Sequence, residues 1–393
     1  MVERVKGALE GIRVAEWGPG RMVAYAGKLL RDYGADVILL EEEPGQRGRI
    51  LGVGSDGEGA RQREVLMRFF YGGKRSVAVD ISQKREREAF LELLADTDVL
   101  LMQQDLRRVE PWGLHPEGIA SVHPQLVVVS ASLAGLTATG RYLPHAEIVA
   151  QAMSGIAGHT PIYRQPGDTP LKIGGYQADY TTGLMVASSA LLGLQLRRRS
   201  GRGHVMDVSS QATLASFMRH ALEFRTYNHE LPEVSRPQTF TGLVPCKDGY
   251  FAFQASEQYQ WDGLRRMLGS PEWAMASEFA SPADAHLNWD KFEPGFLEWA
   301  RDRTKTEIFH AAQAQRVPLF PCYDVSELLD DPQQLARGFF VEVPAPNAGG
   351  LQVRMPGALV CLDRTPWRPG GTPPAFGEHT ADPLKSQHRE AAS

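Results

Sequence analysis

Glu147 heads an apolar run, Glu147-Ile148-Val149-Ala150-Gln151-Ala152, shortly after Pro144 and His145. A carboxylate at a helix head lies against the positive end of the macrodipole. It is also a side chain that can attack a carbonyl and carry a covalent intermediate. Gln151 stands four residues on, on the same helix face, where its amide can orient that carboxylate. Asp179 opens a second, longer apolar segment. The cationic candidates are Lys74 and Arg75, after the glycine turn Gly72-Gly73. A Lys-Arg pair is usually a solvated surface feature, but after a glycine turn at a strand start it can reach phosphates. A third cluster, Gly18-Pro19-Gly20 with Glu41-Glu42-Glu43 roughly 20 residues on, has the outline of a dinucleotide fingerprint. The third glycine is missing from it, because Val23 stands where the helix must pack closely.

These residues need a scaffold, and the first third of the chain supplies an alternating one. Ile12 to Trp17 reads as a strand, Met22 to Tyr33 as a helix stopped by Gly34, and Asp36 to Glu41 as a strand buried on both faces. Ser76 to Asp80, Val99 to Met102, Leu126 to Ser130 and Val205 to Ser209 are further strands. Helices are expected over Arg85 to Ala95, over Asp179 to Leu196, and from Gln211. This βαβ rhythm predicts an α/β fold with a parallel sheet covered on both faces. Pro44 to Gln62 reads as a long glycine-rich loop. Composition changes after about Thr226: 226–328 reads as a smaller α+β domain holding Trp261, Trp273, Trp289 and Trp299. The proline- and glycine-rich remainder, 329–393, carries short strands at Phe339 to Val343 and Ala358 to Leu362. Four tryptophans would suit an apolar or aromatic ligand, but are more often core.

The composition excludes several classes. At 42% hydrophobic residues the chain can fill a large core and is not disordered. A net charge of −5 argues against a nucleic-acid partner. Cys246, Cys322 and Cys361 are dispersed and odd in number, so no disulfide framework or metal pair is expected, and a cytoplasmic location fits. No apolar run is long enough for a membrane span.

Several phrases, in order, resemble the family III CoA-transferases. They are Leu9 to Val14, Gly34-Ala35-Asp36-Val37-Ile38, Gly201-Arg202-Gly203-His204-Val205-Met206-Asp207-Val208-Ser209, Pro245 to Tyr250, Asp331-Pro332-Gln333, Ala336 to Phe339, and Gly377-Glu378-His379-Thr380. The resemblance implies a large Rossmann-like domain (1–225, with 329–393 returning to it), a small middle domain (226–328), and two chains interlocked as a homo- or heterodimer. It implies acyl-CoA and a small carboxylic acid as substrates, no metal, and a covalent mechanism through a mixed anhydride and an enzyme–CoA thioester. The family's nucleophile is an aspartate, and the position assigned to it here is Glu147, about one C–C bond longer in reach. The family's CoA-holding arginine falls on Asp105, with Arg107 and Arg108 as substitutes. Coenzyme A would be held by Lys74, Arg75, Arg107 and Arg108, with Gln151 and with Asp179, which matches a recurring aspartate of the family, supporting Glu147. The loop at 45–60 and the turn Ala255-Ser256-Glu257-Gln258 are candidates for shielding the labile intermediates from water. Three functions stay open: a CoA-transferase with Glu147 as nucleophile, a non-catalytic subunit of a heteromeric transferase, and an acyl-CoA racemase. The racemase branch uses a histidine–aspartate pair; His145 and Glu147, two residues apart, do not face each other on a helix.

Overall fold

The continuous apolar runs of the first third become the buried strands of one sheet. In the computed structural model, which describes residues 6–44, 57–137, 141–160, 169–228, 241–345 and 351–383, they are β1 (Arg13–Trp17), β2 (Asp36–Glu41), β3 (Arg75–Ala78), β4 (Val99–Met102), β5 (Val127–Ser132) and β6 (Val205–Ser209). All pairings are parallel and the order is β3-β2-β1-β4-β5-β6. Helices link them: α1 (Arg21–Asp32), α2 (Gly57–Tyr71), α3 (Lys84–Ala95), α4 (Leu106–Val109), α5 (Pro116–Val122), α6 (Glu147–Met153) and α7 (Gln177–Ser200). One core lies on each face of the sheet, Val14, Val37, Val99 and Val127 on one and Ala15, Ile38, Leu100 and Val128 on the other, as the period-2 alternation of strands requires.

Because β1 is flanked by β2 on one side and β4 on the other, the chain reverses direction across the sheet between β1 and β4. In open α/β sheets the carboxyl ends of the strands at such a point frame the ligand crevice. The loops 18–20 and 103–105 lie there. α1 and α7 cover the same face. They pack closely at Gly183, where an added Cβ would stand 2.8 Å from the Met22 carbonyl oxygen. Gly183→Ala is therefore expected to lower stability by about 1–3 kcal/mol, the range for overpacking. Gly158→Ala, which would meet nothing within 4 Å, should be nearly neutral in the same urea titration.

The chain divides into two units, Met1–Pro232 with Gly338–Ser393, and Glu233–Arg337. Two local readings change. Part of the expected loop at 44–62 is helical, since α2 begins at Gly57, while 45–56 lies outside the described residues. The expected strand at Ala358 to Leu362 is absent. The Val360 N–H and C=O are instead both bonded to the Tyr33 hydroxyl, at 3.0 and 2.8 Å. The partner of Phe340–Ala345 is Leu351–Pro356. In the second unit, strands Thr241–Cys246, Gly249–Gln254 and Leu319–Pro321 form an antiparallel sheet. Trp261 and Trp289 pack around Phe292 in its core. Ala255–Gln258 leads into a helix over Gln258–Met267 whose cap is Glu257.

Candidate active site

α6 starts at Glu147 with no side-chain cap from Ala146, and α7 starts after Tyr176, whose side chain caps nothing. The first N–H groups of a helix need acceptors, and Glu147 supplies them for α7. Its Oε1 accepts from the Ala178 N–H at 3.0 Å and its Oε2 from the Asp179 N–H at 2.9 Å. Gln151, one turn along α6, donates to Glu147 Oε1 at 2.6 Å. The same amide grips the incoming chain, its Oε1 accepting from the Ile173 N–H at 2.8 Å and its Nε2 donating to the Ile173 carbonyl at 3.1 Å. The pairing of Gln151 with Glu147 expected from their spacing is therefore present. Both are buried.

Asp179 sits, buried, in the first turn of α7. His145 Nε2 lies 2.6 Å from Asp179 Oδ1, and Arg21 Nη1 lies 3.7 Å from Oδ2. Arg21 is the first residue of α1 and directly follows the Gly18-Pro19-Gly20 loop. Its guanidinium is stacked 3.7 Å over the Tyr176 ring. Tyr176 holds a left-handed conformation (φ 57°), which costs a non-glycine residue about 1–2 kcal/mol. Strain of this kind clusters at functional sites. Among the described residues the His145 Nδ1 is buried without a hydrogen-bond partner.

The cationic candidates separate into two groups. Lys74 and Arg75 lie inside the fold. Lys74 Nζ is wholly buried, 2.5 Å from Glu16 Oε2 and 2.9 Å from the Ala24 carbonyl. Burial pushes its pKa down, opposed by the Glu16 charge. Arg75 holds Asp36 at 2.8 and 2.9 Å and reaches the Pro383 carbonyl. It borders a cavity of about 130 Å³ with Arg31, Asp32 and Arg368, at the amino ends of β2 and β3. Lys74 and Arg75, expected as phosphate contacts, are each paired with a carboxylate of the fold, and Arg75 lies at the sheet edge opposite the switch-point crevice. Arg107 and Arg108 are exposed at the carboxyl edge. Arg108 is held by Glu42 Oε1 at 2.6 Å and by Gln104 Oε1 at 2.7 Å. Asp105 is the cap of α4 and accepts from the Arg107 N–H at 3.0 Å.

The dinucleotide outline does not survive in three dimensions. A Cβ at Gly18 would stand 2.2 Å from the Gln103 carbonyl oxygen, and one at Gly20 1.7 Å from its side-chain oxygen. These glycines admit Gln103, whose backbone and side chain fill the space beside them. Glu42, placed as a ribose-binding carboxylate would be, is engaged by Arg108 and by Trp17 Nε1 at 3.2 Å. Among the described residues no group of three or more His, Cys, Asp or Glu is arranged to hold a metal, and no helix is long and apolar enough to cross a membrane. Sequence reasoning misses Arg21 and the His145–Asp179 contact. The only signals are an arginine opening the helix after Gly-Pro-Gly and a histidine ahead of Glu147.

Comparison with known proteins identifies one family. The model of CoA-transferase family III matches residues 9–380. Succinyl-CoA--D-citramalate CoA-transferase of Chloroflexus aurantiacus is 26% identical, over 95% of this chain and 92% of its own. Subunit BbsE of the succinyl-CoA:(R)-benzylsuccinate CoA-transferase of Thauera aromatica is also 26% identical, over 93% and 91%. Formyl-CoA:oxalate CoA-transferase of Streptomyces coelicolor is 26% identical, over 98% and 93%. Among solved structures, a CaiB/BaiF family protein from Brucella suis superposes with a TM-score of 0.80 at 24% identity, over 96% of this chain and 98% of that one. The orthorhombic form of Rv3272 from Mycobacterium tuberculosis superposes with a TM-score of 0.80 at 22% identity, over 97% and 100%. With the family model spanning nearly the whole chain, this protein belongs to CoA-transferase family III.

Proposed function

We propose that the chain moves CoA from an acyl-CoA to a small carboxylic acid through a covalent aspartyl intermediate on Asp179, with Glu147 fixing the helix end that carries it. The observation that supports this division is the bonding of the two carboxylates. Glu147 accepts three N–H bonds, two of them from the α7 backbone. A carboxylate so engaged has little electron density left for attack, and moving it would orphan α7. Asp179 carries His145 on one oxygen and the more distant Arg21 contact on the other. Asp179, whose N–H Glu147 holds, is thus proposed as nucleophile in place of Glu147, the expectation from the sequence.

In this reading an Asp179 oxygen attacks the acyl carbonyl carbon and the C–S bond breaks, leaving a mixed anhydride and CoA thiolate. The thiolate attacks the Asp179 carboxyl carbon, and the first acid leaves as its carboxylate. The incoming carboxylate attacks the aspartyl thioester and releases thiolate, which attacks the new acyl carbon and frees Asp179. No net proton is exchanged. Each step splits a hard exchange into easier ones. The racemase reading remains the second one, because the resemblance implies a histidine–aspartate pair for that branch and His145 and Asp179 lie 2.6 Å apart; α-deuterium exchange in an acyl-CoA without any acceptor acid would favour it over transfer.

The nucleotide belongs, in this account, in the crevice between β1 and β4, where Arg108 is preset by Glu42 and Gln104 and Arg107 lies beside it. Arg108→Ala is expected to raise KM for the acyl-CoA about 10-fold with kcat little changed, the pattern of lost uniform binding. A second chain would cover the exposed Leu184, Met185, Leu191 and Leu192 of α7 and Ile148 of α6. Whether that chain is identical or a related subunit is read from the mass of the purified assembly. The function itself is tested by incubating the protein with succinyl-CoA and a panel of acids. CoA appearing on an added acid supports transfer, and hydrolysis alone contradicts it.

A further inference from the structure

From the surroundings of Asp179 we infer that Arg21 is the residue that gathers the incoming carboxylate. The inference rests on the transferase reading above and adds a residue to it. The chemistry poses a charge problem. The acceptor is an anion, and it must approach a buried carbon flanked by the carboxylates of Asp179 and Glu147, in surroundings where like charges repel strongly. Among the described residues, Arg21 is the arginine in contact with these carboxylates, at 3.7 Å from Asp179 Oδ2, while Lys172, the other cation over the Tyr176 ring, donates to the Ile173 carbonyl at 2.9 Å. The Arg21–Asp179 separation exceeds a hydrogen bond, so the contact is an ion pair and not a forked one. A guanidinium offers five N–H donors in one plane, in a fork that matches a carboxylate.

The way Arg21 is held supports the same role. Its guanidinium carbon lies 3.7 Å over the Tyr176 ring centroid, a cation–π contact that holds the group beside Asp179. Tyr176 occupies the left-handed region at the residue just before α7. That strained conformation sets the ring under Arg21 and begins the helix that carries Asp179. One device thus places both the cation and the carboxylate it serves. Arg21 also stands at the mouth of β1, next to the switch-point crevice, where an acyl-CoA entering between β1 and β4 would present its thioester. Lys74 does not compete for this role, since it is consumed by Glu16.

The test is calorimetry with succinate as the probe, in the Asp179→Asn protein, whose uncharged side chain stands in for the aspartyl thioester. Asp179→Asn is expected to bind succinate. Adding Arg21→Gln should weaken that binding about 30-fold, the scale of a charge-assisted hydrogen-bonded contact, with Arg21→Lys recovering part of it. Circular dichroism checks that each variant is folded. In the otherwise native enzyme, Arg21→Gln should raise KM for the acceptor acid by a similar factor while the CoA adduct still forms. A change of less than about threefold in succinate binding, or no binding by Asp179→Asn at any attainable concentration, overturns the assignment. Equal loss of adduct formation and acceptor affinity would also overturn it, since that is what a purely structural arginine would produce. The two readings fail separately. Succinate binding lost with Arg21 in a protein that never transfers CoA would refute the transferase reading and keep the carboxylate site. Transfer that proceeds with unchanged acceptor KM would do the reverse.

Discussion

Asp179→Asn is expected to lower CoA transfer by at least about 10⁴-fold, the scale on which removal of a covalent nucleophile acts. The substitution preserves size and leaves the residue 179 N–H bonded to Glu147 Oε2, so the start of α7 should persist and thermal stability should change little. It removes the only atom proposed to attack, because an amide oxygen does not form the anhydride. Glu147→Gln makes the contrasting case. It turns one oxygen into an N–H₂ group facing a backbone N–H of Ala178 or Asp179, and the two donors conflict. The expected result is a loss of stability of about 1–3 kcal/mol for an orphaned buried donor, with activity reduced less than in Asp179→Asn. If Glu147→Gln were inactive at full stability while Asp179→Asn stayed active, the assignment would be reversed in favour of Glu147.

The largest expected effect on stability is that of Lys74→Met. Lys74 and Glu16 form a pair in which both side chains are shut off from solvent, and a Cβ added at Gly27 would come within 2.0 Å of the Glu16 carboxylate. The glycine is thus part of the site that holds the pair. Removing one member of a buried pair leaves a charge without compensation and costs about 3–5 kcal/mol. For a unit of this size that corresponds to a drop in Tm of roughly 10 °C. KM for acyl-CoA should be unchanged. A Lys74→Met protein with normal Tm and a raised KM would instead restore the lysine to the phosphate role that its place after Gly72-Gly73 suggests. The double variant with Glu16→Gln should recover much of the loss, since no buried charge then remains alone.

What can be read from the sequence follows from where local pattern and tertiary structure coincide. β2 and β4 are continuous apolar runs with both faces buried, and their expected bounds, Asp36–Glu41 and Val99–Met102, match the structure. The spacing of Glu147 and Gln151 predicts a contact because i,i+4 neighbours on a helix must meet. α2 escapes the sequence because Gly57 and Gly59 and the polar stretch Arg61 to Glu64 hide its start, whereas its buried stripe begins only near Leu66. Ala358 to Leu362 has strand-like residues, yet a strand needs a partner ladder, and the Tyr33 hydroxyl takes the Val360 backbone groups first. The site is half legible for a related reason. Glu147 stands out by its position before an apolar run, but whether a carboxylate attacks or caps depends on which N–H groups reach it. Those come from 31 and 32 residues away. The same holds for Lys74, whose partner Glu16 is 58 residues off in β1.

The most direct test of the central claim is the intact mass of the protein after incubation with succinyl-CoA, followed by peptide mapping with Asp179→Asn and Glu147→Gln as controls. A CoA-sized adduct is expected in the peptide that contains Asp179, absent in Asp179→Asn and present in Glu147→Gln. An adduct mapped to Glu147, or its persistence in Asp179→Asn, would contradict the claim.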